Sequence, residues 1–427
     1  MSANVFPKEI RIAFEDALEG FQDALVMSGT VSTYQTNPQA MERSSDVIWR
    51  PQPYIMQSFE GQDQTANFVP QNQLVIPAAI NRRRVVPFTL TDTELRDLQQ
   101  NNLLADAAKQ KLASDINISL LNNAALQGTL VVKRTVAATG FDDVALCDAI
   151  MNEQGIPFEN RSLGLTTRDY NGMASNLQVA SRSFDGAKTV NAYERAYVGQ
   201  VASFSTYKFD YPYRLQAAGG GGGITINTTD TASGQYYIPK PLSVATSTEM
   251  SPVDNRFQTV TVSSTTGVVA GDAFTIAALN AVHHITKQDT GQLKTFRVIS
   301  VLTSTTMVIS PPIITNQLGT SDAAAQYQNC VINTKASNSA IVFLNTVAAG
   351  VNAFWQKNAI EILPGTIVIQ PGSGVDFMQA STDQGVQLTM TRQWDIKTSQ
   401  MLYRWDVRWG VVNKQPEMTG IMLFNQT

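Results

Sequence analysis

Charge is scarce in this chain. Only 15% of its 427 residues are Asp, Glu, Lys or Arg, against about 25% in an average soluble protein. The balance is slightly acidic: 31 Lys and Arg against 35 Asp and Glu leave a formal net charge of -4 and a pI near 5.4. That argues against a free, strongly basic nucleic-acid binder, because neutralising phosphates takes an excess of cations. Cysteine and histidine are scarcer still. Cys147 and Cys330 are too few for a disulfide framework. His283 and His284 stand side by side with no Cys or carboxylate cluster near them in sequence, so they read as surface residues rather than zinc ligands. No metal and no cofactor is expected. No apolar run approaches the roughly 18 residues of a membrane span. The start, MSANVFPKEIRIAFEDALEG, has charges at Lys8, Glu9, Arg11 and Glu15 and no apolar segment of a signal peptide. What is left is a soluble, reduced protein of two or three domains, with 43% hydrophobic residues to build their cores. Its low charge admits two explanations: a surface of Gln, Asn, Ser and Thr, or a surface buried against other subunits.

Patterning divides the chain. Ile10, Phe14, Leu18, Phe21 and Leu25 make one apolar stripe, which predicts a helix over 8–27 that either packs on its own domain or reaches a neighbour. From Val47 to Pro87 the prolines at 51, 53, 70, 77 and 87 exclude a long helix. Tyr54–Phe59 and Gln73–Ile76 are expected as strands of an extended loop, the kind usually functional or buried against a partner. Arg82, Arg83 and Arg84 follow it, as either a solvated or salt-bridged face or an inward contact to nucleic-acid phosphates. Thr91 and Glu94 form a capping box ahead of a helix reaching about Gln127, with Leu104, Ala108, Leu112, Ile116 and Leu120 stepping by four. Residues 135–215 read as mixed α/β. Gly219–Gly223 marks a boundary, since five consecutive glycines suit no element interior. An all-β module follows, with strands near 259–262, 273–277, 294–302 and 305–309 behind a polar loop over 227–256. Ser339–Ala349 suits a helix, and the end of the chain, with Trp394, Trp405 and Trp409, suits an antiparallel sheet. The β module is thus inserted in a larger α+β domain.

No catalytic signature stands out. Both histidines lie in the β module, so no Ser/His/Asp or Cys/His set is available, and no phosphate-binding glycine motif or H-E-x-x-H occurs. An enzyme is not expected.

Four stretches, in order along the chain, resemble one family: Met41–Pro51 (MERSSDVIWRP), Val253–Ile276 (VDNRFQTVTVSSTTGVVAGDAFTI), Asn352–Leu363 (NAFWQKNAIEIL) and Trp409–Leu423 (WGVVNKQPEMTGIML). They resemble the major capsid (coat) proteins of short-tailed, P-twenty-two-like tailed bacteriophages. The resemblance implies an α+β chain of the Hong Kong 97 phage fold with an inserted all-β barrel domain. Its parts would be an N-terminal arm (1–45), an extended E-loop region (46–90), a spine helix and P-domain (91–134), an A-domain (135–218), the inserted barrel (219–333) and a return to the A-domain and P-domain sheet (334–427). It implies a virion capsid of hexamers and pentamers, assembled in the host bacterial cytoplasm, with scaffolding protein, portal protein and weakly held double-stranded DNA as partners and no membrane. Trp49 would anchor the extended loop, and Phe354 and Trp355 would pack where the chain re-enters the core; ordinary core packing is the other reading of each. Asp230, Lys240, Glu249 and Asp254 would pair with another subunit or stay solvated. The rival function is another phage structural or host-adhesion protein whose β module binds a surface ligand.

Overall fold

A computed structural model describes residues 14–427 except 16–17, 22–23, 35–46, 54, 57, 59, 64, 66–67, 69, 92–93, 95–102, 181–198, 210–212, 221, 228–235, 247–248, 316–321, 333–338 and 371–373. From the N-terminus the first strands are β1 (Ser32–Thr33), β2 (Ile48–Pro51), β3 (Val75–Ala78) and β4 (Arg82–Thr91). Helix α1 (Leu103–Gln127) leads to β5 (Leu130–Lys133), α2 (Phe141–Glu153), β6 (Arg161–Thr166), α3 (Thr167–Ala180), β7 (Gln200–Val201), β8 (Phe204–Phe209) and β9 (Arg214–Leu215). An all-β stretch follows: β10 (Leu242–Thr246), β11 (Glu249–Pro252), β12 (Gln258–Thr261), β13 (Ala273–Val282), β14 (Asp289–Val301) and β15 (Thr306–Ser310). After the short α4 (Asp322–Gln326) come β16 (Cys330–Ile332), β17 (Ile341–Phe343), β18 (Ala349–Gly350), β19 (Asn352–Gln356) and β20 (Ile360–Gly365). The chain ends with β21 (Asp376–Ser381), β22 (Gln387–Asp395), β23 (Gln400–Asn413) and β24 (Thr419–Leu423).

These elements form two compact units. The first comprises Met1–Ile48, Ala78–Leu120 and Glu361–Val412. Its sheet runs β1-β20-β23-β22-β21, with β4 also paired to β23 from Gln400↔Thr91 to Trp409↔Arg82. Side chains alternate across a strand, so Trp405, Val407 and Trp409 share one buried face. Trp405 stacks on Phe14 at 5.9 Å between centroids, and the Trp409 Nε1 donates to Ser119 Oγ at 2.9 Å. The α1 stripe is buried as its four-residue spacing predicts at Ala108, Leu112, Ile116 and Leu120, with Leu104 half-buried. Glu94 accepts from the Thr91 amide at 3.0 Å and hydroxyl at 2.8 Å, so the acidic half of the capping box is formed.

The second unit comprises Trp49–Pro77, Leu121–Ile360 and Asn413–Thr427. One of its sheets is mixed, in the order β5-β24-β19-β6-β8-β7. Leu130, Leu163, Leu165, Phe204, Phe354 and Met422 of that sheet pack on Val144, Cys147 and Met151 of α2 and on Tyr170 and Met173 of α3. The other sheet runs β12-β15-β14-β13-β16, with β17 also on β13. Residues 224–227 close it: Ile341 donates to Ile224 and Ile226 to Ser339 on one side, and Asn227 donates to Thr261 and Ser263 to Thr225 on the other. A ring of backbone bonds therefore encloses Ile226, Val260, Phe274, Phe296, Val298 and Ile309. This removes the open edges at β12 and β17.

Several local expectations fail for physical reasons. Ser339–Ala349 is no helix, because β17 and β18 lie there. Ile341 is buried while Val342 is exposed, and these β-branched residues fill a ladder position beside β13. The described strands of the extended loop are Ile48–Pro51 and Val75–Ala78, the second overlapping the expected Gln73–Ile76, whereas the expected strand Tyr54–Phe59 lies partly outside the described residues. The polar stretch 227–256 holds a hairpin, β10–β11, rather than a continuous loop. Of the N-terminal stripe, Ile10 lies outside the described residues, Phe14, Phe21 and Leu25 are buried and Leu18 is half-buried.

Candidate functional site

The residues singled out from sequence are scattered. Trp49 sits in β2 and is 36% exposed. Phe354 and Trp355 are buried in β19, and the Phe354 ring meets Phe204 edge-on at 6.1 Å. Phe354 also lies against Gly420, where a Cβ would come within 2.2 Å of its ring, so a glycine is needed for this close approach. Asp230 lies outside the described residues, and Glu249 lies in β11. Lys240 and Asp254 are brought close by Asn255, whose Oδ1 accepts from the Lys240 amide and whose Nδ2 donates to the Lys240 carbonyl. Asp254 is engaged within its own chain: Arg256 Nη2 reaches Oδ2 at 2.7 Å and Nε reaches Oδ1 at 2.9 Å. That arginine also donates to the Asn413 carbonyl and stacks over Phe257. Arg82, Arg83 and Arg84 open β4; Arg83 pairs with Asp406 at 3.2 Å and Arg84 with Asp115 at 3.9 Å.

The densest polar construction is elsewhere, where the closed β module meets the mixed sheet. At its neck, Asn345 joins the chain on entry and on exit. Its Nδ2 donates to the Gln216 carbonyl and to Asp272 Oδ1, its Oδ1 accepts from the Ala273 amide, and its carbonyl accepts from Ala218. The first two glycines of the run pack here, Gly219 on Gly267 and Gly220 on Phe343. From β14, Arg297 Nη2 donates to the Ala125 carbonyl in the last turn of α1 at 2.7 Å, and Thr295 Oγ1 donates to the Thr129 carbonyl at 2.6 Å. Burial pushes the Arg297 guanidinium down to about 10, with the nearby Asp272 carboxylate opposing the shift. Burial raises Asp272 in turn.

Further along the same hairpin, Lys294 Nζ donates to Glu417 Oε1 at 2.5 Å, and Asn329 Nδ2 reaches the same oxygen at 3.1 Å. Lys294 is all but buried and Glu417 about a quarter exposed, at 1% and 24%. Burial alone would raise the Glu417 carboxyl. The Lys294 ammonium, His284 and two hydrogen bonds outweigh it and hold the carboxyl below its ordinary value. The histidine pair is half-buried rather than fully exposed. The His284 amide donates to the Gln154 carbonyl at the end of α2, and the His283 ring lies against Gly155, which has φ +76°. The Nε2 of His284 is buried with no hydrogen-bond partner among the described residues, and burial pushes its pKa down to about 4.

These groups hold one fold module on another; they do not assemble a reaction centre. Among the described residues no cluster of three or more His, Cys, Asp or Glu could hold a metal. Burial raises both thiols, Cys330 to about 12. Sequence reasoning missed Lys294, Arg297 and Glu417. The available signal was the charge inside the β-forming run Leu293–Val298 (LKTFRV), where a strand buried in its own module has no reason to carry Lys and Arg.

A family model for the P22 coat protein, gene protein 5, matches residues 1–425. The chain is similar to the solved CUS-3 coat protein I-domain, with 38% identity over 30% of this chain and 99% of that one, and a TM-score of 0.21. It is also similar to a chain from the capsid structure of the Cyanophage P-SCSP1u, at 11% identity, 92% and 86% coverage and a TM-score of 0.42. A chain from the head of Helicobacter pylori bacteriophage KHP40 matches at 8% identity, 93% and 88% coverage and a TM-score of 0.41.

Proposed function

The chain belongs to the P22 coat protein family, and from that premise we propose how its parts serve a phage shell. It is a major capsid protein of the Hong Kong 97 type, a structural protein rather than an enzyme, and its copies form the icosahedral shell of the virion. The match across 425 residues carries this conclusion. The subunits assemble as hexamers and pentamers in the host bacterial cytoplasm around a scaffolding protein, with a portal protein at one vertex and double-stranded DNA held weakly inside. A net charge of -4 supports weak holding, since an acidic subunit gives phosphates little to neutralise. Residues 219–333 act as the inserted module, and the contacts of β14 with α1, β5 and Glu417 support a role in fixing that module to the shell core.

Trp49 serves at the root of the extended loop. Gln52, three residues on, supports this: its amide donates to Leu74 and its side chain to the Lys414 carbonyl. Lys240 and Glu249, on and beside the β10–β11 hairpin, contact a second subunit, whereas the Arg256 partner of Asp254 favours an internal role for that carboxylate. Electron microscopy of the purified protein with its scaffolding partner tests the reading. Closed shells are expected; a monomer that binds a surface ligand and never assembles would overturn it.

A further inference from the structure

The β13–β14 turn carries an ionisable cluster that the shell role does not call for. Its members come from every element packed at that place. His283, His284 and Lys287 sit in the turn, Lys294 in β14, Cys330 at the start of β16, and Glu417 in the 3-10 turn Pro416–Met418. The neutral partners are Asn329, the Gln328 carbonyl that accepts from Lys287 Nζ at 3.1 Å, and the Gln154 carbonyl that accepts from the His284 amide. The carboxylate pairs with Lys294 and acts on Lys287 and His284 through its charge alone. The His284 Nε2 is enclosed and unpartnered among the described residues. A proton placed there is opposed first by burial; the Glu417 carboxylate favours it, Lys294, Lys287 and His283 oppose it, and Nε2 has no hydrogen-bond acceptor among the described residues.

We propose that this seat is an acid-released latch: proton uptake at His284, followed by Glu417, undocks the β13–β14 turn from the end of α2 and the Pro416–Met418 turn while both sheets stay folded. The device lies within one chain and is independent of how copies assemble.

The signs agree. His284 titrates near 4 when docked and near its ordinary 6.5 when released. Released chains therefore bind the proton first, and docking weakens as pH falls from 6.5 towards 4. Glu417 has a lowered pKa when docked, so its contribution is present above 4.5 and is lost as pH falls through the docked value. Lys287, pushed by burial from 10.5 to about 8, acts only on the alkaline side, where docking strengthens as pH rises from 8 to 10.5. Thr295 and Arg297 do not titrate in acid, so the module stays tethered by β14 after the turn lifts.

Amide hydrogen exchange on the purified, unassembled full chain tests this. After correction for the intrinsic rate, peptides covering 283–288 should lose protection about tenfold or more between roughly pH 7 and pH 5. Peptides covering β12 and β15 should keep theirs. His284→Asn should remove most of that pH dependence, and Glu417→Gln should lower protection of the turn already at neutral pH. A flat wild-type profile overturns the latch. So does an equal loss in every strand, or a His284→Asn profile that falls as the wild type does. Should His284→Asn fail to accumulate, the wild-type profile and Glu417→Gln still decide.

Discussion

Arg297 Nη2 lies 2.7 Å from the carbonyl oxygen of Ala125, so a side chain of the β module closes the last turn of the long helix. The last carbonyls of a helix have no partner within it, and a cation suits the negative end of its dipole. Arg297 is fully buried beside Asp272. Arg297→Met keeps the volume but leaves the Ala125 carbonyl without its donor and takes a cation from beside the Asp272 carboxylate, and should cost about 1–3 kcal/mol in urea denaturation of the unassembled subunit. Adding Asp272→Asn should recover part of that loss. Equal stability of Arg297→Met and wild type would show that the cap is ornamental.

A second expectation concerns the fit of Phe354 to Gly420. Gly420→Ala places a methyl 2.2 Å from the Phe354 ring and 2.7 Å from the Leu130 Cβ. Overpacking of this kind costs about 1–3 kcal/mol. Phe354→Leu alone should cost less than Phe354→Ala, for which about 3–5 kcal/mol is expected. The double variant Gly420→Ala/Phe354→Leu should be more stable than the sum of its singles predicts, because the shorter side chain leaves the methyl room. Additive losses would contradict the contact.

How much of this was legible beforehand depends on the range of the interaction. The four-residue steps of α1 and the strand-forming end of the chain around Trp405 and Trp409 are local patterns, and a helix and a strand stand there. Ile341–Phe343 was misread because its strand state comes from β13 and from residues 224–226, which no local window contains. The seat was hidden for the same reason. Lys294 and Glu417 are 123 positions apart, and only the charges in an otherwise apolar strand hint at them. His283 and His284 were judged by the absence of ligands nearby in sequence, and that says nothing about what folds over them.

Asp406 is 3% exposed and held by two arginines, Arg83 at 3.2 Å and Arg404 Nε at 2.8 Å. Each arginine is about half exposed, so Arg83→Gln or Arg404→Gln alone should cost about 1 kcal/mol or less. Together they leave a buried carboxylate unpaired, and the double variant should lose about 3 kcal/mol or more. Chemical denaturation of the four chains gives the coupling. A double variant no worse than the sum of two small losses would mean that Asp406 is not desolvated.

Deleting 224–332 removes Thr295, Arg297 and Lys294 together and strips Ala273 from the cluster it shares with Ala125, Val131, Leu215, Val351, Ile421 and Leu423. The carbonyls of Ala125 and Thr129 and the Glu417 carboxylate lose their partners at once, which is costly for groups that remain enclosed. The shortened chain should be synthesised but collect in the insoluble fraction. Normal soluble yield together with normal shells would count against the module as a folding support.

Arg82 separates the two readings of the basic run. Arg83 and Arg84 are engaged by Asp406 and Asp115, whereas Arg82 is exposed at the start of β4. A solvated arginine can be replaced at little cost, so Arg82→Gln should leave stability within about 0.5 kcal/mol of wild type. If the run faces packaged DNA, the same change removes one phosphate contact. The slope of log affinity for duplex DNA against log salt should then flatten by about 1. Assembled shells opened at low salt and titrated with short duplexes supply the measurement. An unchanged slope would leave Arg82 as a solvated surface charge and remove the run from the list of genome contacts.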